Sequence, residues 1–130
     1  MISGRRSGNL GASLRTKTFE IVSGVPEKLG GENEGPDPHE ILEAALAACT
    51  IITVQMYANR KQWPLTSTDV EVRIVSEKPE GSEISLAIEF KGDLTAEQRE
   101  RLREIAGKCP IHKMLTAPIK ISTTTGSRGE

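Results

Sequence analysis

The stretch from Pro38 to about Arg60 constrains this 130-residue chain more than any other part of it. It opens on Gly35-Pro36-Asp37-Pro38, a helix-start signal: Asp37 can cap, Pro38 suits the first helical position, and Glu40 adds charge to the first turn. A helix is expected from there for roughly 22 residues, or about 33 Å. Its middle, Ala44-Ala45-Leu46-Ala47-Ala48-Cys49, is small and apolar on all sides. A helix apolar all round is expected to be buried, and small residues let a second backbone come close. A chain of this length builds one real core, too little to wrap so long a helix alone. A homodimer, with the helix packed against its copy, is therefore expected.

The rest of the chain reads as α+β in a single domain over residues 1–130. Residues 1–12, rich in Gly and Arg, read as a flexible N-terminal arm. Leu14 to Val22 alternates and carries Thr16, Thr18, Phe19 and Ile21, so one strand is expected. Gly24 to Asp37 is a loop. Beyond Trp63-Pro64-Leu65, the stretches Asp69 to Ser76 and Glu83 to Phe90 alternate around a Lys78-Pro79-Glu80-Gly81 turn and predict a hairpin. Thr95 with Gln98 forms a capping box for a second helix, whose inner stripe is Leu102, Ile105 and Ala106. Glu97, Arg99, Glu100, Arg101, Arg103 and Glu104 read as its solvated face. Gly107 stops it. Cys109-Pro110 starts a short third helix to about Leu115, and Pro118 to Thr124 is expected to be a last strand. The tail Thr125 to Glu130 is expected to fray.

A formal net charge of −1 and a pI near 6.2 argue against a nucleic-acid or membrane-surface role. The apolar run contains Glu43, Thr50, Thr53 and Gln55 and is too mixed for a membrane span. No charge-flanked apolar leader opens the sequence, and a cytoplasmic protein is the expectation. With 3% aromatics, the core must be built from Ile, Leu, Val and Ala.

Cys49 and Cys109 are the chain's 2 cysteines. In a cytoplasmic chain such a pair is more often redox-active or metal-binding than a structural staple. Their settings differ. Cys49 lies in the apolar helix, where a cysteine is most often a small core residue. Cys109 sits at a helix start, where unpaired N–H groups and the helix dipole favour a thiolate. On residue context alone, Cys109 is the better thiolate. Cys49, Cys109, His39 and His112 nominally supply four zinc ligands, but their spacings match no compact site, so no metal is expected. His112 lies one turn after Cys109, where it can contact that thiol or simply pack. Glu43 reads as structural, and Tyr57 and Trp63 as packing for the helix end.

Gly35-Pro36-Asp37-Pro38-His39-Glu40-Ile41-Leu42, followed by Ala44-Ala45-Leu46-Ala47-Ala48-Cys49-Thr50, resembles the OsmC/Ohr family. Gly92-Asp93-Leu94-Thr95 before a charged helix, then Cys109-Pro110-Ile111-His112, agrees with it over roughly residues 14 to 124. The resemblance implies an intertwined α+β homodimer, with long central helices against curved antiparallel sheets. It implies thiol-dependent reduction of organic hydroperoxides to alcohols at sites on the dimer interface. Carried over, Cys49 is peroxidatic and Cys109 resolving, a reversal of the residue-context reading.

The family also supplies an arginine from an N-terminal loop, here Arg6 or Arg5, to polarise thiolate and peroxide. A glutamate ten residues before the helix cysteine supports that arginine, and this chain has His39 there with Glu40 beside it. Ten helical residues span about 15 Å, so His39 and Glu40 are expected to serve the partner subunit's site rather than their own. No bound cofactor is implied. The cycle runs through a Cys49 sulfenic acid and a Cys49–Cys109 disulfide, and the expected external reductant is a dithiol of the dihydrolipoyl type. Apolar side chains around Cys49, including Met56, suggest a pocket that prefers small organic hydroperoxides. Two other functions fit the same scaffold: a non-catalytic protein binding an apolar ligand, and a redox sensor.

Overall fold

The computed structural model describes residues 1–126. A three-stranded antiparallel sheet comes first: β1 (Ser3–Ser7), β2 (Gly11–Arg15) and β3 (Glu20–Ser23), in that spatial order. The long helix α1 (Pro38–Lys61) follows, then the hairpin β4 (Leu65–Lys78) and β5 (Gly81–Gly92), then α2 (Ala96–Ala106) and α3 (Pro110–Leu115). The architecture is α+β with antiparallel sheets, as expected.

Both long-helix boundaries follow from local chemistry. The Asp37 carboxylate accepts from the Glu40 N–H at 2.8 Å, and the Glu40 carboxylate accepts from the Asp37 N–H at 3.0 Å. Pro38 occupies the first helical position. The helix stops at Gln62, which adopts a left-handed conformation at φ 60°, and the Trp63 N–H reaches back to the Ala58 carbonyl. Pro36 ties the helix entry to β3: its carbonyl accepts from Ser23 Oγ at 2.9 Å and Gly24 N–H at 3.2 Å. A Cβ on Gly35 would collide with the Val22 carbonyl.

Several expectations are corrected. Residues 1–12 are not a loose arm, because Ser3–Ser7 pairs with Gly11–Arg15 residue by residue. The single strand expected from Leu14 to Val22 is two strands. Thr16 Oγ1 accepts from the N–H groups of Thr18 at 3.2 Å and Phe19 at 2.8 Å, and this local bonding bends the chain back on itself. Residues 118–124 form no strand. A strand needs a neighbour, and no described strand lies beside this segment; its Ile119 and Ile121 are exposed. Of the tail expected to fray, residues 127–130 lie outside the described residues. The hairpin is longer than expected at both ends and is interrupted at Leu65/Ser67 and Ile74/Ser76, where its register shifts.

Within this chain α1 is not buried all round. One stripe, Leu46, Thr50, Val54 and Ala58, is buried at successive four-residue spacings. It faces the core, where Val54 and Ala58 meet Leu65, Leu102, Ile105 and Ala106. Leu42, which continues the same row toward the helix start, is exposed, and so are Ile52 and Met56 on the opposite side, Ile52 at 57% and Met56 at 66%. By length and composition the helix would also qualify to cross a membrane, contrary to the judgement that the run is too mixed. Here its packing against β4, α2 and α3 makes it the spine of a globular core.

The charged face of α2 is only partly solvated. Arg99 donates to the carbonyls of Phe90 and Gly92, and Arg101 Nε donates to the Tyr57 hydroxyl at 3.1 Å. These bonds pin α2 to the end of β5 and to α1. Tyr57 and Trp63 pack edge to face at 5.5 Å, as their packing role requires. Glu43 is structural: its carboxylate accepts from the Ile74 N–H at 2.8 Å, beside the register shift in β4.

Leu102 is fully buried at the centre of this core. Leu102→Ala is expected to lower stability by about 2–5 kcal/mol, read from urea unfolding midpoints. A loss below about 1 kcal/mol would show that α2 is not the lid of the core.

Candidate functional site

Two helices bring the two sulfurs together. Cys49 lies on α1 just beside the buried stripe, one turn after Leu46. Cys109 is the N-cap of α3, held where Gly107 ends α2 and the Cys109 N–H reaches the Ala106 carbonyl. Pro110 takes the first position of α3, where its missing N–H costs nothing. Because α3 packs on α1, Cys49 and Cys109 meet as a disulfide across a sequence separation of 60, with Cα atoms 5.9 Å apart. That separation lies within the ordinary disulfide range.

The two sulfurs have different surroundings. Cys109 is fully buried and its Sγ accepts from the His112 N–H at 3.4 Å. Cys49 is only partly buried, and its Sγ lies 3.9 Å from Thr53 Oγ1, one helical turn on. Thr53 escaped the sequence reading, although four-residue spacing on a helix marks it as a neighbour of Cys49. His112 meets Cys109 through its backbone, as the cap of a helix start, and not through its ring.

A cavity of about 310 Å³ lies a helical turn from each cysteine, reached through Leu46 and His112, and neither cysteine lines it. Leu46 from α1, Ser82, Glu83, Ile84 and Leu86 from β5, His112 and Leu115 from α3, and Thr116 just after it line the cavity, so its wall is part apolar and part polar. This corrects the expected lining: Met56 points to solvent and takes no part. The β5 residues could not be found from sequence, because nothing in local pattern says which helix a strand covers. His112 Nδ1 is buried and meets no hydrogen-bond partner among the described residues.

The supporting residues sit elsewhere in the chain. Arg5 and Arg6 are exposed on β1, paired in register with Ser13 and Ala12. Outside itself that sheet meets the loop entering α1, where Ser23 Oγ donates to the Pro36 carbonyl, and it does not pack substantially on α1 itself, so the structure does not bring either arginine to its own Cys49. Glu40 closes the capping box at the entry to α1. His39 Nε2 lies 2.7 Å from the Glu77 carboxylate at the end of β4. Both are near the start of α1, away from the Cys49 of the same chain, as helix length requires. Among the described residues no group of three or more His, Cys, Asp or Glu could hold a metal ion.

The hydrogen bond and charge of Glu77 hold the His39 imidazole above its ordinary pKa. A raised folded-state value means the pair stabilises the fold below the unfolded-state pKa of about 6.5. That contribution is lost as pH rises through the folded value. Glu77→Gln should therefore lower the His39 titration midpoint, followed by NMR of the imidazole protons. An unchanged midpoint would mean the pair does not persist in solution.

Comparison with known proteins gives one family and one fold. The family model described as OsmC-like protein matches residues 31–124. Among solved structures, a proposed osmotic stress induced and detoxification response protein from Psychrobacter arcticus aligns with TM-score 0.73 and 24% identity, covering 86% of this chain and 85% of that one. An OsmC-like protein from Mycoplasma pneumoniae aligns with TM-score 0.71 and 20% identity over 88% and 85%. An organic hydroperoxide resistance protein OsmC from Legionella pneumophila aligns with TM-score 0.64 and 21% identity over 89% and 88%. No curated protein matches the chain significantly.

Proposed function

Because the chain belongs to the OsmC-like protein family, we propose that it is a two-cysteine thiol peroxidase that reduces organic hydroperoxides. The observation that carries this reading is the Cys49–Cys109 disulfide joining α1 to α3. The name of the Legionella pneumophila neighbour, an organic hydroperoxide resistance protein, supports the substrate class.

In the proposed cycle the Cys49 thiolate attacks the terminal oxygen of the hydroperoxide. The O–O bond breaks, the alkoxide takes a proton and leaves as an alcohol, and Cys49 becomes a sulfenic acid. The Cys109 thiol then displaces the sulfenic hydroxyl, releasing water and forming the disulfide. A dithiol of the dihydrolipoyl type returns both cysteines to thiols by exchange and becomes a cyclic disulfide. Thr53 is placed to donate a hydrogen bond to the reduced Cys49 sulfur. A cation is still required, since burial alone raises a thiol pKa. We assign that role to Arg6 or Arg5 of a partner subunit, with His39 and Glu40 in support. The cavity one turn from the disulfide has Leu46, Ile84, Leu86 and Leu115 beside Ser82, Glu83 and Thr116; its apolar side gives an alkyl group a contact that hydrogen peroxide cannot make. We place this chemistry in the cytoplasm.

An intertwined homodimer is part of the same proposal. Three features want a partner: the exposed Leu42, Ile52 and Met56 of α1, the first sheet that meets the rest of the chain mainly through the loop into α1, and the segment 118–124 outside any strand. Exposed apolar surface of this extent is unusual on a monomer. Light scattering at micromolar concentration should give twice the chain mass of 14.1 kDa. Ile52→Glu should shift the species toward one chain; a wild-type monomer would refute the assembly.

A second reading is a non-catalytic protein that binds an apolar ligand. The same cavity favours it, because the buried His112 Nδ1, without a hydrogen-bond partner among the described residues, offers a polar anchor in a wall that also presents Leu46, Ile84, Leu86 and Leu115. The deciding assay is peroxide consumption with dihydrolipoamide, comparing tert-butyl hydroperoxide with hydrogen peroxide, for wild type and Cys49→Ser. Turnover that prefers the organic peroxide and disappears in the variant is expected. No turnover by folded, reduced wild type would leave ligand binding as the better account.

A further inference from the structure

The two cysteines of the disulfide are not equally enclosed. Cys109 has 0% of its surface exposed, and its burial is provided by its own chain. Association with another copy only removes surface, so no assembly of this fold can open Cys109. Cys49 retains exposure within the chain.

We propose that reduction of this disulfide has a fixed polarity: the incoming thiolate attacks Cys49 Sγ, and Cys109 departs as the thiolate. Thiol–disulfide exchange proceeds with attacking, central and leaving sulfurs close to one line, and it depends on which sulfur can be reached. Attack at Cys49 comes from the side opposite Cys109, away from the atoms that bury Cys109. Attack at Cys109 would have to come from the side opposite Cys49, through the atoms of its own chain that enclose it.

The leaving side is also prepared. The His112 N–H already points at Cys109 Sγ at 3.4 Å. A hydrogen bond to sulfur strengthens as negative charge gathers there. Exchange is faster when the departing thiol is more acidic. The context that made Cys109 look like the better thiolate therefore describes a good leaving group. It need not be a nucleophile toward peroxide.

The steps balance. The reductant thiolate forms a sulfur–sulfur bond to Cys49, the Cys49–Cys109 bond breaks, and its electron pair goes to Cys109 Sγ. When the reductant is a dithiol, its second thiol gives a proton to solvent and attacks the reductant's own sulfur in the mixed disulfide. A cyclic disulfide leaves with two electrons fewer, and Cys49 is released as a thiolate. This inference rests on the proposed cycle only for the need to reduce the disulfide. It adds that peroxide and reductant meet the same sulfur, in turn.

The test uses no peroxide. Oxidised wild-type protein is treated with excess 2-mercaptoethanol at pH 8 and acid-quenched at early times. Freed thiols are then capped with N-ethylmaleimide in acidic denaturant, and peptides are mapped by mass spectrometry. In the once-cleaved species, mercaptoethanol should sit on Cys49 and maleimide on Cys109, with a bias of about tenfold or more. The same reaction on protein unfolded in guanidinium should lose most of that bias, since burial sets it. Adduct mainly on Cys109, an even division in the folded protein, or an equal bias after unfolding would each overturn the polarity while leaving the peroxidase cycle standing. A folded-state disulfide that resists the thiol altogether would overturn both.

Discussion

Burial of the stripe Leu46, Thr50, Val54 and Ala58 on α1 is the constraint on which the rest depends. It sets the rotation of a long apolar helix against β4, α2 and α3. That rotation decides everything α1 presents elsewhere. Cys49 falls at the edge of the stripe, half in the core and half out. Ile52 and Met56 fall outside it. A helix with the same sequence turned by a third of a circle would bury Cys49 and leave Val54 in water. The capping box at Asp37 and the left-handed stop at Gln62 define the helix's length, but only packing against Leu65 and Leu102 defines its orientation.

The cross-link follows from that orientation together with a local rule. The Cys109-Pro110 step starts α3, and α3 returns to α1 because α2 is short and capped at both ends. Arg99 and Arg101 hold α2 to β5 and Tyr57, so the return path is stiff. The result is a pair of sulfurs whose difference lies in access. One is enclosed and hydrogen-bonded by a backbone N–H; the other borders the surface. A cavity of about 310 Å³ lies a helical turn from them, walled in part by the hairpin. A redox pair with an asymmetry of access, and a cavity one helical turn from it, thus arise from three separate elements.

Local signals were legible wherever one or two residues suffice. Asp37-Pro38 with Glu40, Thr95 with Gln98, and Cys109-Pro110 each announce a helix start, and each helix begins there. The inner stripe of α2 was readable from spacing. Misreadings occurred where a side chain's partner is distant in sequence or a residue bonds to its own neighbourhood. Thr16 raises strand propensity yet folds the chain back through its hydroxyl. Arg99 and Arg101 look like a solvated face because nothing nearby in sequence reveals Phe90 or Tyr57 as partners. Residues 118–124 have strand composition without a strand beside them, and propensity cannot supply a neighbour.

The sequence alone determined the helix starts, the order of elements from α1 through the hairpin to α3, the family motifs around Cys49 and Cys109, and the shortage of aromatic residues that makes the core aliphatic. These depend on interactions within a turn or two of the backbone, or on composition. Only the tertiary structure decided that Cys49 and Cys109 meet 5.9 Å apart at their Cα atoms, that Cys109 is the enclosed member, that His39 pairs with Glu77, and that β5 walls the cavity. Those facts turn on which faces pack together, and packing joins residues that the order of the chain leaves tens of positions apart.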